Sequence, residues 1–225
     1  MNSRAHRPLP FALLLLCALL GGCALLPPQE REMVTGSYRP QNVFVSAPAL
    51  PADVKLVAVL PLVCDPQNTE LAAGKDALEP ILRSELAKTR KFQITSPNPQ
   101  FLRLRTGQDC WSDEDALPQT FFESLRNDSG CDAVLFCRLT VFRGFAPLAV
   151  GCRMRLVDAR THLTLWSVDE VIDAGKPAVL AGARRFQLAE LENSGSSPDE
   201  WLISNCPREF GQYAAAQLLA TLPHR

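Results

Sequence analysis

The chain reads as an α+β domain. A mixed sheet with a β-α-β-α-β-β-β core, a parallel crossover followed by an antiparallel meander, is completed by C-terminal helices. Three observations carry this reading. Residues 55–64 form a continuous apolar run followed by a helix-spaced stripe and a second strand. Residues 133–172 hold three strand patterns separated by short turns. Two further stripes at helical spacing close the sequence. The composition, 47% apolar and 21% charged, is that of an ordinary globular domain.

Residues 55–64 are rich in branched side chains and too short for a typical helix, which suits a strand covered on both faces; Pro61 ends its ladder. After a polar loop, Leu78, Ile81, Leu82 and Leu86 recur at helical spacing, with Pro80 near a first turn or at a kink. A strand over residues 91–96 follows, and the order strand, helix, strand implies a right-handed crossover and a parallel pair. Asp109, Asp113, Glu114 and Asp115 gather carboxylates in one place. Ser112 followed by acids suits the start of a helical turn better than acid–base chemistry. Pro118 begins a short helix with Phe121, Phe122 and Leu125 buried and Ser129-Gly130 as its stop.

Ala133, Leu135, Cys137, Leu139 and Val141 alternate with Val134, Phe136, Arg138, Thr140 and Phe142. After a turn over residues 143–147, Leu148, Val150, Cys152, Met154 and Leu156 alternate with Gly151, Arg153 and Arg155. With Phe142 paired to Pro147, Cys137 falls opposite Cys152. The two are then either a cross-strand disulfide or a pair of buried thiols. Residues 158–162 form a hairpin turn and residues 163–172 a third strand centred on Trp166. Residues 177–192 read as a helix with Val179, Leu180, Ala183 and Phe186 inward. Pro207 starts a last helix whose Phe210, Tyr213, Ala214 and Leu218 form one stripe, for the sheet or for a partner.

The N-terminal end has a different character. Arg4 and Arg7 precede an apolar run over residues 11–20, and Leu20-Gly21-Gly22-Cys23 closes the segment. The charges hold the amino end inside, the core is too short to stay as a spanning helix, and the small residues admit a peptidase. This segment resembles the lipobox of a bacterial lipoprotein signal peptide. The resemblance implies cleavage before Cys23 and acylation of Cys23 with chains of the palmitate class. Each buried methylene contributes about 0.8 kcal/mol, so several chains anchor the protein firmly. The alternatives are an ordinary cleaved secretory signal and an uncleaved anchor. The expected organisation is a signal peptide over 1–22, a lipid anchor and proline-rich tether over 23–53, and a single periplasmic domain over 54–225. Within the tether, residues 42–45 are either spacer or a short strand pinned to the domain edge. Ala24 is not the Asp that retains such proteins in the inner membrane of enteric bacteria, so an outer-membrane anchor facing the periplasm is expected.

Removal of residues 1–22 takes two arginines from the 23 basic groups and leaves all 24 acids, a net charge of −3. With no basic run, nucleic acid is not an expected partner. Beyond Cys17 and Cys23, six cysteines remain: Cys64, Cys110, Cys131, Cys137, Cys152 and Cys206. None has the Cys-x-x-Cys spacing of zinc or redox sites, and only His162 and His224 could add imidazole, so neither metal nor other cofactor is expected.

Val57-Ala-Val-Leu-Pro-Leu62, Gly130-Cys-Asp-Ala-Val-Leu135 and Leu156-Val-Asp-Ala-Arg-Thr-His-Leu-Thr-Leu-Trp166 resemble strand and turn signatures of the CsgG-like, LpoB-like and TolB amino-terminal envelope domains. The similarity covers about residues 54–173. His162 departs from the pattern, which commonly has Gly there, and implies a different turn because left-handed backbone costs His more than Gly. The resemblance implies a domain used for assembly, docking or oligomerisation, with no catalytic triad to carry over. No Gly-x-Ser-x-Gly elbow occurs, Asp169, Glu170 and Asp173 belong to one strand end, and no small-molecule substrate is evident. The expected function is a non-catalytic, lipid-anchored envelope module that docks a protein partner. The alternatives are a subunit of an oligomeric envelope or secretion complex and, third, a lipid-anchored hydrolase. Two candidate contact surfaces follow, the meander face bearing Phe136, Arg138, Arg153 and Arg155 and the hairpin tip at Phe145, where aromatic and arginine side chains offer interface chemistry; the alternative for both is a solvated or helix-covered sheet face.

Overall fold

The computed structural model describes residues 38–194 and 202–225; Cys23, the signal segment and the first part of the tether lie outside the described residues. One mixed sheet contains β1 (Val43–Val45), β2 (Leu56–Val59), β3 (Gln93–Thr95), β4 (Ala133–Arg143), β5 (Ala149–Asp158) and β6 (Thr164–Asp173), in the spatial order β1-β6-β5-β4-β2-β3. The helices are α1 (Thr69–Lys88), α2 (Pro99–Thr106), α3 (Phe121–Ser129), α4 (Pro177–Ser194), α5 (Leu202–Asn205) and α6 (Pro207–Leu219). β2 runs parallel to both β3 and β4, and β4, β5 and β6 form an antiparallel meander. The α+β fold with a parallel crossover, a meander and C-terminal helices is therefore present.

β2 lies between β4 and the edge strand β3 and is apolar on both sides: Val57 and Val59 face one core, and Ala58, followed by Leu60, faces the other. The first core lies under α1, α4 and α6 and includes Leu78, Leu82, Leu86, Val179, Ala183, Phe210, Tyr213, Ala214 and Leu218. The last helix thus spends its apolar stripe on the domain itself. Trp166 is fully buried, and its indole Nε1 donates to Thr221 Oγ1 at 3.1 Å. The second, smaller core joins Val134, Phe136 and Val157 of the sheet to Leu102, Trp111, Phe121 and Leu125 of the α2–α3 layer.

The helix α1 starts well before the expected stripe. Asn68 caps it, its side chain accepting from Leu71 N at 3.1 Å, so Pro80 is interior. The helix tolerates Pro80 because it and Asp76, whose carbonyl loses its usual partner, both lie exposed to water. Helix α2 has no counterpart in the expected order; Asn98 caps it, accepting from Gln100 N at 2.8 Å. The acidic stretch over residues 112–115 forms a turn closed by Asp115 N to Ser112 O, not the start of a helix. The residue preceding α3 is Thr120, with Pro118 accepting from Phe121 N at 2.9 Å.

Residues 38–53, read from their prolines as tether, include β1, which pairs antiparallel with β6. Beyond it, His224 N donates to Pro48 O and Leu50 N to His224 O. Pro40, Pro48 and Pro51 flank β1 without interrupting it, so no ladder amide is lost. The motif acids have structural work. Asp132 Oδ2 accepts from Lys55 N and Leu56 N, both at 3.0 Å, and fixes the entry of β2. Asp158 Oδ1 accepts from Arg160 N and Thr161 N at 2.8 and 2.7 Å, building the β5–β6 turn. His162 occupies that turn at φ +61°, so the left-handed conformation is adopted in spite of its side chain, whose ring stacks on Phe122 at 4.5 Å.

The β4–β5 register corrects the disulfide expectation. Phe142 pairs with Val150, Cys137 with Met154, and Leu139 with Cys152. Pro147 has no amide to give a ladder and stays in the loop. A bulge between Leu139 and Val141 shifts the pairing by one and reverses the alternation. Phe142 therefore points towards α1, against Gly74, where an added Cβ would lie 2.3 Å from the ring. Cys137 and Cys152 become diagonal neighbours, ~7–8 Å apart in a regular ladder and beyond disulfide reach, and both are free. Burial pushes the Cys152 thiol up to about 12, and burial followed by the neighbouring Cys152 raises Cys137 further still. Because the thiolate is the nucleophile, neither should alkylate in the native protein at pH 8. Both should alkylate fully on unfolding without reductant, as peptide mapping would show; a 137–152 linked peptide would contradict the register.

Candidate functional site

The bulge and the change of side chain along β4 and β5 divide the second face of the sheet. Phe136 is buried under α3, 6.0 Å from Phe121 and 6.4 Å from Phe122 between ring centroids. It belongs to the core and not to a contact surface, which corrects the sequence expectation. Arg138, Arg153 and Arg155 lie beyond the α2–α3 cover and are half-buried. Arg138 and Arg153 pair directly across the ladder, an arrangement of like charges that costs stability unless neutralised. Glu114, from the loop before α3, places one carboxylate oxygen on each arginine. Arg153 is held also by Asp169, opposite it on β6, at 2.8 Å. Arg155 Nε donates to Thr164 Oγ1 at 2.8 Å.

Arg153 and Arg155 line an open groove of about 540 Å³, together with Thr164, Ser167, Asp169 and the edge strand β1. Phe44 pairs with Ser167 and is 52% exposed at the rim. Glu170 anchors this edge: its Oε2 accepts from Gln41 N at 2.8 Å and Asn42 N at 3.2 Å. Partial burial raises the Glu170 carboxyl, but those two amides, together with Tyr38 and the Lys176 charge, outweigh it and hold the group below its ordinary range. The hairpin tip is separate. Phe145 is 64% exposed between β4 and β5, on a loop fastened by Arg143, which donates to Pro147 O and pairs with Asp173 at 2.8 Å. Of the sequence candidates, the structure brings Arg138, Arg153 and Arg155 together, leaves Phe145 apart and removes Phe136. Glu114 and Phe44 were missed as site residues. Glu114 carried a local signal, an acid in a loop, but its partners lie 24 and 39 residues away.

No protein-family model matches the chain, and no curated protein does. Among solved structures it is similar to the PelC dodecamer from Paraburkholderia phytofirmans, with 14% identity, 81% of this chain and 98% of that one covered, and a TM-score of 0.45. It is similar also to lipoprotein GNA1162 from Neisseria meningitidis, with 19% identity, 62% and 94% covered, and a TM-score of 0.41. The LpoB C-terminal domain from Escherichia coli follows at 19% identity, 53% and 82% covered, and a TM-score of 0.37. One of these neighbours is thus a bacterial lipoprotein. At these scores no function is carried from them to this chain.

Two measurements probe the groove. Glu114→Gln leaves Arg138 and Arg153 facing each other without their shared carboxylate. The groups are partly solvated, so a loss of about 0.5–1 kcal/mol is expected at low salt, shrinking at high salt as repulsion is screened. Urea titrations at two ionic strengths measure both. The lowered Glu170 value means that its contribution is present above the unfolded glutamate pKa of about 4.3 and lost as pH falls through the folded value. Melting temperature against pH should therefore fall more steeply below about pH 4.5 in the wild type than in Glu170→Gln.

Proposed function

We propose that this protein is a non-catalytic docking module of the bacterial envelope, anchored by acyl chains on Cys23 to the outer membrane and facing the periplasm. The observation that carries the docking reading is Phe145, held out at 64% exposure on a fastened loop. A large aromatic in that setting is the kind of anchor that fills a pocket on a partner. The lipobox pattern at Leu20-Gly21-Gly22-Cys23 and the spacer after it support the anchored placement, and the net charge of −3 supports a protein partner over nucleic acid. The domain boundaries of this reading are a signal over 1–22, an anchor and spacer from Cys23, and a single folded body.

A second reading is favoured by one specific feature. Among the described residues the terminal strand β1 leaves an open sheet edge, and Phe44 and Val45 on it are 52% and 40% exposed. Such an edge invites pairing with another chain, including a copy of this one, as in an oligomeric envelope assembly. Light scattering on the purified protein separates the two: a monomer mass favours heterotypic docking, a ring-sized mass self-assembly.

The test of the main reading uses the full chain in its own cells. Cys23→Ser should move the protein from the membrane to the soluble envelope fraction. With p-benzoylphenylalanine in place of Phe145, irradiation should join the protein to one envelope protein, identified by mass spectrometry. Retention of the Cys23→Ser variant in the membrane would refute the anchor, and the absence of any adduct would refute docking through the tip.

A further inference from the structure

Two neighbouring cross-strand rows on the open sheet face differ in one respect. The first contains Arg138, Arg153 and Asp169, side by side on β4, β5 and β6. Its two cations are matched by two carboxylates, Asp169 within the row and Glu114 from the loop above. The second row contains Phe136, Arg155, Ser167 and Phe44 on β4, β5, β6 and β1. Here Ser167 stands where the first row has Asp169, and Arg155 makes no ion pair among the described residues. Its Nε is spent on Thr164. Asp113, which also lines the groove, accepts from Ser112 Oγ at 3.4 Å and does not pair with Arg155.

We infer that Arg155 receives its carboxylate from outside: the groove docks a partner-protein segment that places a single Asp or Glu on Arg155 and an apolar side chain beside it on Phe44. The first row shows that this face binds carboxylates, since Glu114 reaches down from a separate loop to do so. A guanidinium fork with free donors is matched to that geometry. The groove explains why one acid and not a run of acids: Asp113 and Asp169 line it with Arg155, and Glu114 sits on the neighbouring Arg153, so a polyanion or an anionic bilayer is repelled. Phe44, next in the row, supplies the apolar contact. This inference rests on the docking reading above and specifies the chemistry of a second contact.

The experiment places p-benzoylphenylalanine at Phe44, a near-isosteric change at the rim, in the full-length protein in intact cells. The expected adduct is with another protein, mapped by mass spectrometry to a stretch containing Asp or Glu beside an apolar residue. In an Arg155→Gln background its yield should fall at least about tenfold, as loss of one member of a close charge pair implies, while Arg155→Lys retains part of it and both variants keep the wild-type melting temperature. An adduct unaffected by Arg155→Gln, a mapped segment without an acid, an adduct with a second copy of this chain, or no adduct would each overturn the inference. The Phe145 adduct separates the two ideas: its presence with no adduct from Phe44 removes the groove and keeps the docking module, and its absence along with that of the Phe44 adduct removes both.

Discussion

One face of the meander cannot be buried throughout, and the layout of the domain follows from that. On the side of α1, α4 and α6, β4 and β5 present Leu135, Cys137, Leu139, Cys152, Met154 and Leu156 without interruption. On the other side the side chains change from Phe136 to Arg138 along β4 and from Val157 to Arg155 and Arg153 along β5. A helix laid across the arginines would have to desolvate three cations, at a cost of several kcal/mol each without partners. The α2–α3 layer therefore stops at Phe136, and the sheet beyond it stays open as a groove.

The loop before α3 makes this boundary tolerable. Arg138 and Arg153 stand opposite each other; Asp169 pairs with Arg153, and a carboxylate shared between the two arginines offsets the remaining repulsion. Glu114 provides it from a turn whose own geometry is fixed locally, Asp115 Oδ2 accepting from Ser112 N at 2.7 Å. The position of that turn depends in turn on Trp111, buried against Phe121 at 5.6 Å with its Nε1 donating to Thr106 Oγ1 at 2.7 Å. Packing at the edge of the second core thus aims a charged group at a site outside it.

Much of this was legible in the residues. The run over residues 55–64, the alternations from Ala133 onward and the stripe of Phe210, Tyr213, Ala214 and Leu218 each carry their own period, and the elements lie where those periods place them. What could not be read were effects that cross between elements. The bulge at Thr140 adds one residue to a regular alternation, so Val141 and Phe142 exchange faces and Cys137 and Cys152 lose their expected pairing. Phe136 shares its strand face with Arg138, so period alone assigns both to one surface; only the α2–α3 layer separates them, and α2 has no strong apolar stripe. His162 shows the limit of a rule about backbone strain: the Asp158 turn and the stack on Phe122 suffice to hold a left-handed residue that lacks the freedom of glycine.

The same edge of the sheet also decides how the chain enters the domain. Tyr38, the first described residue, packs against the main core, with Lys176 Nζ over its ring at 5.9 Å. Lys176 follows the end of β6, where Asp173 pairs with Ala149 at the start of β5, next to the loop that carries Phe145. Entry point and hairpin tip therefore share one end of the sheet. Between Cys23 and Tyr38 lie about 15 residues, at most ~50 Å of chain when fully extended. If Cys23 carries the anchor, that length is the farthest Tyr38 can stand from it.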